Sequence, residues 1–565
     1  MDKKTLIAMI ICGVIMLLYY PFILPLLSKK PAPPQGAVEP ISEKTREQEK
    51  KVVGKPGQSA IMPAESIKPQ TEIPRKEIII ENELVKMVWT NEGAVLKSVK
   101  LKRFKDPEAK ETLELLKGDT TEYRPLAIDT ILGKSDFREW RYTVAEHSKD
   151  KIVFTCSLEE GINIMKTISL PPEKYHVNMD VVLENKTDDE VSLAYSVIAS
   201  SMIMHEGEPS TDMAAVAGVD MGNKRIKLVS TSPKNLPLKN ESVGISWAGS
   251  MNKYFATILK PASSDWVGAV NAQAFDAQGI PINEKAEHGD FMVSIQTNKL
   301  RIPPHDMVKH SYLYFVGPKK EEILKHYETL DALLTYGWLN AISKALLAFL
   351  NAVHRVLPNY GLSIIVLTIL IKMILFPLTK KSQVSMFRMQ QLQPMINQLK
   401  EKYKHDKQRM GKEQMLLFKK YGANPMSGCL PMLLQLPVFF ALFRTLQLSF
   451  EMRQAPFVLW INDLSRPDTL MTLPFTIPFI GNALNILPLV MTGASFVQMK
   501  TTPKAPAADP QAQAQQKMMS FMPIMFAFIL YNMPSGLTLY WTVSTVFSII
   551  EGIIIRKSIK KIKIK

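Results

Sequence analysis

The sequence has few cysteines and none of the common signatures of an active site. Its 565 residues include three cysteines, Cys12, Cys156 and Cys429, which lie far apart along the chain. This spacing provides neither a disulfide framework nor a zinc-binding pair. The chain also lacks a Walker loop, an HExxH helix and a GxSxG turn, and its nine histidines are scattered. We therefore expect no catalytic residue, no metal site, no cofactor and no enzymatic activity.

Specific nucleic-acid binding is also not expected, although the formal net charge is +16. A nucleic-acid-binding domain would gather its basic residues on one soluble domain, with stacking aromatics among them. Here many of them flank long apolar runs, as do Lys380 and Lys381 and the C-terminal segment RKSIKKIKIK. Because Lys and Arg beside apolar runs follow the positive-inside rule, the charge indicates the topology of a membrane protein.

The N-terminal apolar run is predicted to anchor the chain in a bilayer. It extends without a charge from Thr5 to Leu27 and follows Lys3 and Lys4. This length is sufficient to cross about 30 Å of hydrocarbon. The run ends in PLLS instead of a small-residue cleavage site, which favours an uncleaved anchor over residues 1–28 against a signal peptide.

Two soluble segments follow this anchor. Residues 29–76 are rich in Pro, Lys, Glu and Gln, which predicts a flexible periplasmic linker. From 77 to 326, short β-branched runs with alternating polarity are separated by Asn, Gly, Pro and Asp. This pattern predicts a large all-β domain, long enough for a two-sheet sandwich with its own core.

The chain becomes helical in the connecting segment 327–358. Apolar residues at helical spacing predict an amphipathic helix there, and they are Trp338, Ile342, Leu346, Phe349 and Val353. Such a helix suits the membrane interface. An ordinary amphipathic helix packed on its neighbours is an equally good interpretation.

Five further apolar segments are predicted to span the bilayer, so the expected fold is a polytopic α-helical membrane protein with six transmembrane helices. The five predicted spans are 359–379, 426–449, 482–500, 518–532 and 535–555. If both termini are cytoplasmic, the β-domain and the loop 450–481 are periplasmic. The segments 380–425, 501–517 and 556–565 are then cytoplasmic. The distribution of charged residues agrees with this topology, because the 380–425 segment carries eleven Lys or Arg against three acidic residues.

The 380–425 segment is predicted to form a basic helical hairpin. Two stripes at three-four spacing carry this prediction, one of Met389, Leu392, Ile396, Leu399 and Tyr403 and one of Met410, Gln414, Leu417 and Tyr421. The hairpin is either a docking element for a partner or a solvated coiled coil that serves stability alone. The candidate docking residues are Lys400, Lys402, Lys404, Lys407 and Arg409.

One charge lies deep in a predicted span. Lys372 interrupts the run SIIVLTILIKMILFPLT, where a charge costs a few kcal/mol unless it faces protein or water. We place Lys372 in a polar cavity as a lone cation, with Thr368 one turn earlier and Gln435 from the next span. Extension of its long side chain to the nearby headgroups is the alternative.

Long ordered blocks of the sequence resemble the YidC branch of the bacterial, mitochondrial and chloroplast insertase family. The blocks are GLSIIVLTILIKMILFPLTKKSQVSMFRMQQLQPMINQLKEKY, NPMSGCLPMLLQLPVFFALF, RQAPFVLWINDLS and MPSGLTLYWTVS. The similarity is strong over residues 337–560 and looser in the β-domain, around WTNEGAVLKSVKL and WAGSMNKYFATIL. The linker 29–76 shows none.

This resemblance implies a function in the bacterial inner membrane. The five C-terminal spans are expected to form a hydrophilic groove, open to the cytoplasm and to lipid, along which nascent membrane proteins enter the bilayer. Implied partners are ribosomes and targeting factors at the basic hairpin, and the Sec translocon. The periplasmic domain is expected to be a supersandwich similar to carbohydrate-binding folds, which alone does not imply sugar binding.

Residues of the family's groove can be assigned by matching positions. Lys372 takes the place of a charge that is usually Arg, and the other groove positions are Thr368, Gln435, Phe439, Tyr540 and Trp541. Lysine keeps the positive charge but lacks the planar fork that binds carboxylates bidentately. A membrane insertase is the predicted function. A solute transporter and a membrane-tethered periplasmic binding protein are the alternatives.

Overall fold

The computed structural model describes residues 73–559 except for short gaps. The gaps are 107–110, 118–123, 131–139, 159–160, 202, 205–212, 223–224, 233–237, 241–243, 276–280, 283–290, 335–338, 405, 424–429, 478–479 and 503–509. The predicted anchor over 1–28 and nearly all of the predicted linker over 29–76 lie outside the described residues. The chain divides into two units, one with residues 383–428 and 499–526 and the other with residues 67–382, 429–498 and 527–565.

β-Strands fill the region in which alternating β-branched runs predict them. They are β1 (Glu77–Glu81), β2 (Val85–Thr90), β3 (Val95–Lys105), β4 (Thr112–Lys117), β5 (Ile128–Thr130), β6 (Thr143–His147), β7 (Lys151–Ser157), β8 (Ile162–Ser169), β9 (His176–Asn185), β10 (Val191–Leu193), β11 (Tyr195–Ser201), β12 (Ala214–Asp220), β13 (Ile226–Thr231), β14 (Leu238–Asn240), β15 (Ile245–Met251), β16 (Phe255–Pro261), β17 (Val267–Phe275), β18 (Pro281–Ile282), β19 (Phe291–Thr297), β20 (Leu300–Ile302) and β21 (Met307–Pro318). A later pair, β22 (Thr469–Ile477) and β23 (Gly481–Asn485), interrupts the helical region.

The strands of the β-rich region form antiparallel sheets that share one core. The largest sheet has nine strands in the order β13-β12-β15-β16-β21-β9-β8-β7-β6. A second sheet runs β14-β17-β19-β11-β5 with β18 beside β17, and a third runs β1-β2-β3-β4. Strands β15 and β16 pack against β11 and β19. The nine-stranded and six-stranded sheets therefore form the layers of a sandwich, as the length and alternation predict.

Burial along the strands follows from these layers. In β9, HVNMDVVLEN, buried and more exposed residues alternate, because one face packs on the core. In β11, YSVIASS, every residue is buried. Its polar members then need partners, and the Ser200 hydroxyl hydrogen-bonds with those of Ser250 and Thr257. Such satisfied hydroxyls are tolerated in a core.

A buried lysine ties two loops to the core of the β-domain. Lys166 in β8 has no exposed surface, and its Nζ donates to the carbonyl oxygens of Ala94, at 2.7 Å, and Leu126. Both acceptor residues have a positive φ, 49° and 67°, a backbone conformation that residues other than glycine rarely adopt. We infer that these two bonds help hold the strained backbone in place.

Burial of Lys166 makes stability depend on pH. The low-dielectric surroundings lower its pKa to about 7, whereas an unfolded lysine has a pKa of about 10.4. Between these values the unfolded chain binds more protons, so stability increases with pH. We expect the free energy of unfolding to increase by up to about 1.4 kcal/mol per pH unit between roughly pH 7 and 9. Lys166→Met should remove this contribution, and denaturation of both full-length proteins in detergent measures it. Equal slopes would contradict this account.

The remaining elements are helical. They are α1 (Glu321–Leu324), α2 (Asn340–Val356), α3 (Tyr360–Gln391), α4 (Gln393–Lys402), α5 (Lys407–Lys420), α6 (Leu430–Leu448), α7 (Leu487–Thr501), α8 (Pro510–Leu530) and α9 (Ser535–Ile559), with 3-10 helices at Leu330–Leu333 and Phe450–Met452. By length and composition, two of the described helices can cross a membrane, Tyr360–Gln391 and Ser535–Ser558. A shorter apolar helix is Ser520–Leu530.

One sequence expectation about element bounds differs from the structure. The segment predicted as the fourth span begins as a strand, since β23 extends to Asn485 and α7 begins at Leu487. Apolar content alone does not separate a strand from the start of a helix in this run.

Helix α2 has two apolar sides. Ser343, Leu347 and Leu350 are buried, and α2 packs on α6, where the Ser343 hydroxyl donates to the Ala441 carbonyl at 3.1 Å. On the predicted apolar stripe, Ile342 is 41% exposed. The side of α2 that carries Ser343, Leu347 and Leu350 therefore packs on protein, while Ile342 on the predicted stripe is exposed. Trp338 lies outside the described residues.

The predicted basic hairpin is formed by α4 and α5 after the end of α3. The Asp406 carboxylate caps α5 by accepting from the Arg409 amide at 2.9 Å. A small core joins the helices, and its buried members are Met389, Leu392, Ile396, Phe418 and Ala423. Leu417 and Tyr421 of the predicted stripe pack against this core, and Phe418, which the stripe lacks, is its buried member from α5.

Candidate functional site

The site is built around Lys372, which lies about three turns after the start of α3. Its side chain is 8% exposed, and its Nζ donates to the Ser548 hydroxyl of α9 at 2.8 Å. Ser548 in turn donates to the Ser544 carbonyl within its own helix at 2.9 Å. Lys372 therefore points into protein, which favours the predicted polar cavity over extension to the headgroups.

A buried acid on α9 corrects the expectation of a lone cation. Glu551 is 2% exposed, and neither of its carboxylate oxygens has a hydrogen-bond partner. It lies three residues after Ser548 and so on the same side of the helix as the partner of Lys372. Glu551 therefore forms no ion pair at contact distance with Lys372. Sequence reasoning missed Glu551, although it interrupts the apolar run SIIEGIII.

A second polar contact joins α6 to α9. The Gln435 amide nitrogen donates to the Ser544 hydroxyl at 3.0 Å and lies 3.5 Å from the Tyr540 hydroxyl. Ser544 and Ser548 are four residues apart, one turn of the helix. The polar groups at Gln435 and Lys372 therefore follow one face of α9.

Aromatic side chains extend this face. The rings of Phe439 and Trp541 meet edge to face with centroids 5.0 Å apart. The structure thus brings together Gln435 with Tyr540, and Phe439 with Trp541. Thr368 is fully buried, and its hydroxyl donates to the Ile364 carbonyl of its own helix at 2.7 Å. It makes no hydrogen bond with Lys372.

The candidate docking residues lie on the α4–α5 hairpin. Lys400, Lys402, Lys404 and Arg409 are exposed, and Lys402 and Arg409 lie near the Tyr403 ring at 5.5 and 5.6 Å. The side chain of Lys407 lies outside the described residues. Within the described part of the chain, no group of three or more His, Cys, Asp or Glu residues is arranged to hold a metal ion.

Two family models match the chain. The model described as "60Kd inner membrane protein" matches residues 352–562, and the "YidC periplasmic domain" model matches residues 77–349. The division between these models falls in the segment that connects the β-domain to α3.

Similar proteins cover the chain nearly from end to end. A membrane protein insertase YidC from Pelobacter propionicus is 30% identical over 99% of both chains. Another from Syntrophobacter fumaroxidans is 32% identical over 84% of both. Insertion is not an enzymatic activity, so these names confirm the prediction that the chain is not an enzyme.

Solved structures also align. An active YidC insertase crystal structure with its first transmembrane domain resolved has 19% identity and a TM-score of 0.35, and the alignment covers 85% of this chain and 92% of that one. A galactose mutarotase-like protein from Lactobacillus casei has 11% identity and a TM-score of 0.32 over 43% of this chain and all of that one. Because both scores are low, the family assignment rests on the sequence matches.

The two models and the relatives agree on the location of the parts. The β-rich residues match a periplasmic domain, and the helical residues match an inner-membrane protein. The chain therefore belongs to the YidC family of membrane protein insertases, with a periplasmic β-rich domain and apolar helices in the bacterial inner membrane.

Proposed function

We propose that α3, α6 and α9 line a hydrophilic groove that conducts client helices from the cytoplasm into the lipid. The single observation that carries this proposal is the buried polar row on α9, where Lys372 contacts Ser548 beside the unpaired Glu551. A structural core would not be expected to leave both oxygens of a buried carboxylate without partners. A groove in which a client replaces the contacts of Lys372 would account for the unpaired carboxylate.

The groove would lower the barrier to moving short polar segments of a client. A polar segment entering hydrocarbon loses its hydrogen bonds to water, at a cost of several kcal/mol per unsatisfied group. Ser544, Ser548 and Gln435 would replace some of these bonds, and the Lys372 ammonium would attract acidic segments. Phe439 and Trp541 would provide an apolar wall for the client helix. No covalent step or energy source is needed.

The charged pair would also set a preference among clients. Glu551 competes with an entering acidic group for the field of Lys372, so attraction is weaker than at an isolated cation. This arrangement lets a client segment bind and leave. Lysine supports it without bidentate geometry, because its ammonium acts as a point charge.

We extend the proposal to topology and partners. The chain would cross the membrane six times, with both termini in the cytoplasm. The exposed basic side chains of the α4–α5 hairpin would meet ribosomes and targeting factors. Insertion and assembly of clients would proceed alone or together with the Sec translocon.

Site-directed crosslinking tests the groove. A photo-crosslinker at position 435 or 541 should capture a nascent transmembrane segment during insertion. Ile374 provides the matched control, because it lies two residues after Lys372, and so on about the opposite side of α3, and is 66% exposed. Capture at 374 should be several-fold weaker. Equal capture at all three positions, or none during active insertion, would refute the groove.

A further inference from the structure

The β22–β23 hairpin is an apolar element at the outer ends of the helices. Its strands pair from Thr469 with Asn485 to Ile477 with Gly481. Gly481 has a φ of 91°, a conformation that glycine adopts freely in a tight turn. The hairpin leads directly into α7.

Hydrogen bonds fasten the base of this hairpin to the helices. The buried Asp468 carboxylate accepts from the amides of Ile486 and Leu487, at 3.0 and 2.6 Å, at the start of α7. The Asn485 side chain donates to the carbonyl of Tyr531, at 2.8 Å, between α8 and α9. The base of the hairpin therefore lies at the ends of α7, α8 and α9 that the proposed topology places on the periplasmic side.

Side chains on both faces of the hairpin are exposed. Met471 and Thr472 are consecutive and regularly paired in β22, so they point to opposite faces, and both are exposed. Leu470, at the bulge beside Met471, is 49% exposed. Phe475 is 60% exposed. No charged residue occurs from Thr469 to Met499, and α7 continues the exposed apolar surface with Leu489 at 50%. An exposed apolar surface of this kind in water would be an aggregation risk.

We propose that the β22–β23 hairpin is immersed in the outer leaflet of the bilayer, at the boundary between headgroups and acyl chains. A protein partner would cover one face, whereas lipid surrounds both. A two-stranded hairpin has two open edges, and its unpaired N–H and C=O groups exclude the hydrocarbon centre. At the boundary, headgroups and water satisfy these edges while the apolar side chains reach the acyl chains. This inference does not depend on the groove.

The apolar surface that continues from the hairpin into α7 also identifies lipid as the occupant. The exposed side chains of α7 belong to a helix of an inner-membrane protein, so lipid is the surface that they meet. The hairpin is joined to that helix by the bonds of Asp468 and carries the same uncharged composition. It would therefore hold the periplasmic end of α7 laterally in the bilayer.

A fluorescent probe at position 475 tests this location. The three cysteines are first replaced, and Phe475→Cys is labelled with NBD in the full-length protein, in phosphatidylethanolamine–phosphatidylglycerol vesicles. Met307→Cys is the matched control, because Met307 is apolar and 65% exposed but lies in the β-domain. We expect lipids with a shallow doxyl label to quench the 475 probe several-fold more than the 307 probe. Aqueous iodide should show the reverse order.

Two positions on opposite faces make the test independent of one substitution. Met471→Cys and Thr472→Cys place the probe on opposite faces of the hairpin, and lipid around both faces requires similar quenching at the two positions. Iodide quenching at 475 equal to that at 307 would overturn the proposal. Protection of either hairpin position from both quenchers would indicate a protein partner instead. Stronger quenching by deep than by shallow doxyl labels would refute the boundary location.

Discussion

Lys372→Glu should reduce the insertion of clients with acidic translocated segments by about tenfold or more, whereas Lys372→Arg should retain most activity. The substitution places a second carboxylate beside Glu551, which is 2% exposed and has no hydrogen-bond partner. An uncompensated buried charge costs about 3–5 kcal/mol, far more than the loss of one neutral contact. Arginine keeps the charge and can still donate to Ser548. Reconstituted insertion into vesicles, with acidic and neutral clients compared, measures the effect.

A charge exchange provides the control for folding. Lys372→Glu combined with Glu551→Lys restores opposite charges at the same two positions and should recover part of the activity. Recovery by the double variant would show that the loss comes from charge and not from disruption of the helices. Equal activity of Lys372→Glu and Lys372→Arg would contradict any role for the positive charge.

Phe450→Ala should loosen the contact between the loop after α6 and the β-domain by about 3 kcal/mol, the cost typical of removing a buried phenyl ring. Phe450 follows α6, yet it is 6% exposed within the core of the β-domain. Its ring meets Phe104 and Phe255 at 5.2 and 5.4 Å, and the Lys320 ammonium lies 4.8 Å from the ring centre.

Hydrogen exchange in the full-length protein measures this effect. Amides at 450–454 should exchange roughly a hundredfold faster, since 1.4 kcal/mol corresponds to a factor of ten. Leu459→Ala is the control, because Leu459 is 84% exposed in the same loop and should change exchange little. Unchanged exchange in Phe450→Ala would mean that the ring does not hold the loop.

The packing of Phe450 also affects how the β-domain can be deleted. Removing residues 77–320 while keeping the spans would separate an insertase from a tethered binding protein. It would also expose Phe450. Arg453, which donates to the Lys105 carbonyl at 3.0 Å, would lose this acceptor. The deletion should therefore carry Phe450→Ser, so that a loss of function reports the missing domain and not an exposed apolar ring.

Features that depend on short-range patterns could be predicted from the sequence. The alternation of β-branched residues predicts a sandwich, because strand period and burial are local properties. The apolar runs and their flanking charges predict membrane helices, and the ordered motifs around Lys372 identify the family. The contact of Gln435 with Tyr540 agrees with the groove positions that the resemblance assigns. The function of these positions stays a prediction.

Contacts between distant segments depend on the tertiary structure. Glu551 and Lys372 are far apart in sequence, and one acid in an apolar run does not indicate which helix face it takes. Phe450 belongs to the β-domain core only because the chain returns to that domain after α6. The strand that replaces the start of the fourth span shares its apolar composition with a helix. The sequence thus determines most element types, the topology signals and the family, because these follow from local pattern and charge. Only the tertiary structure decides which buried charges and rings become neighbours, since that depends on packing between segments.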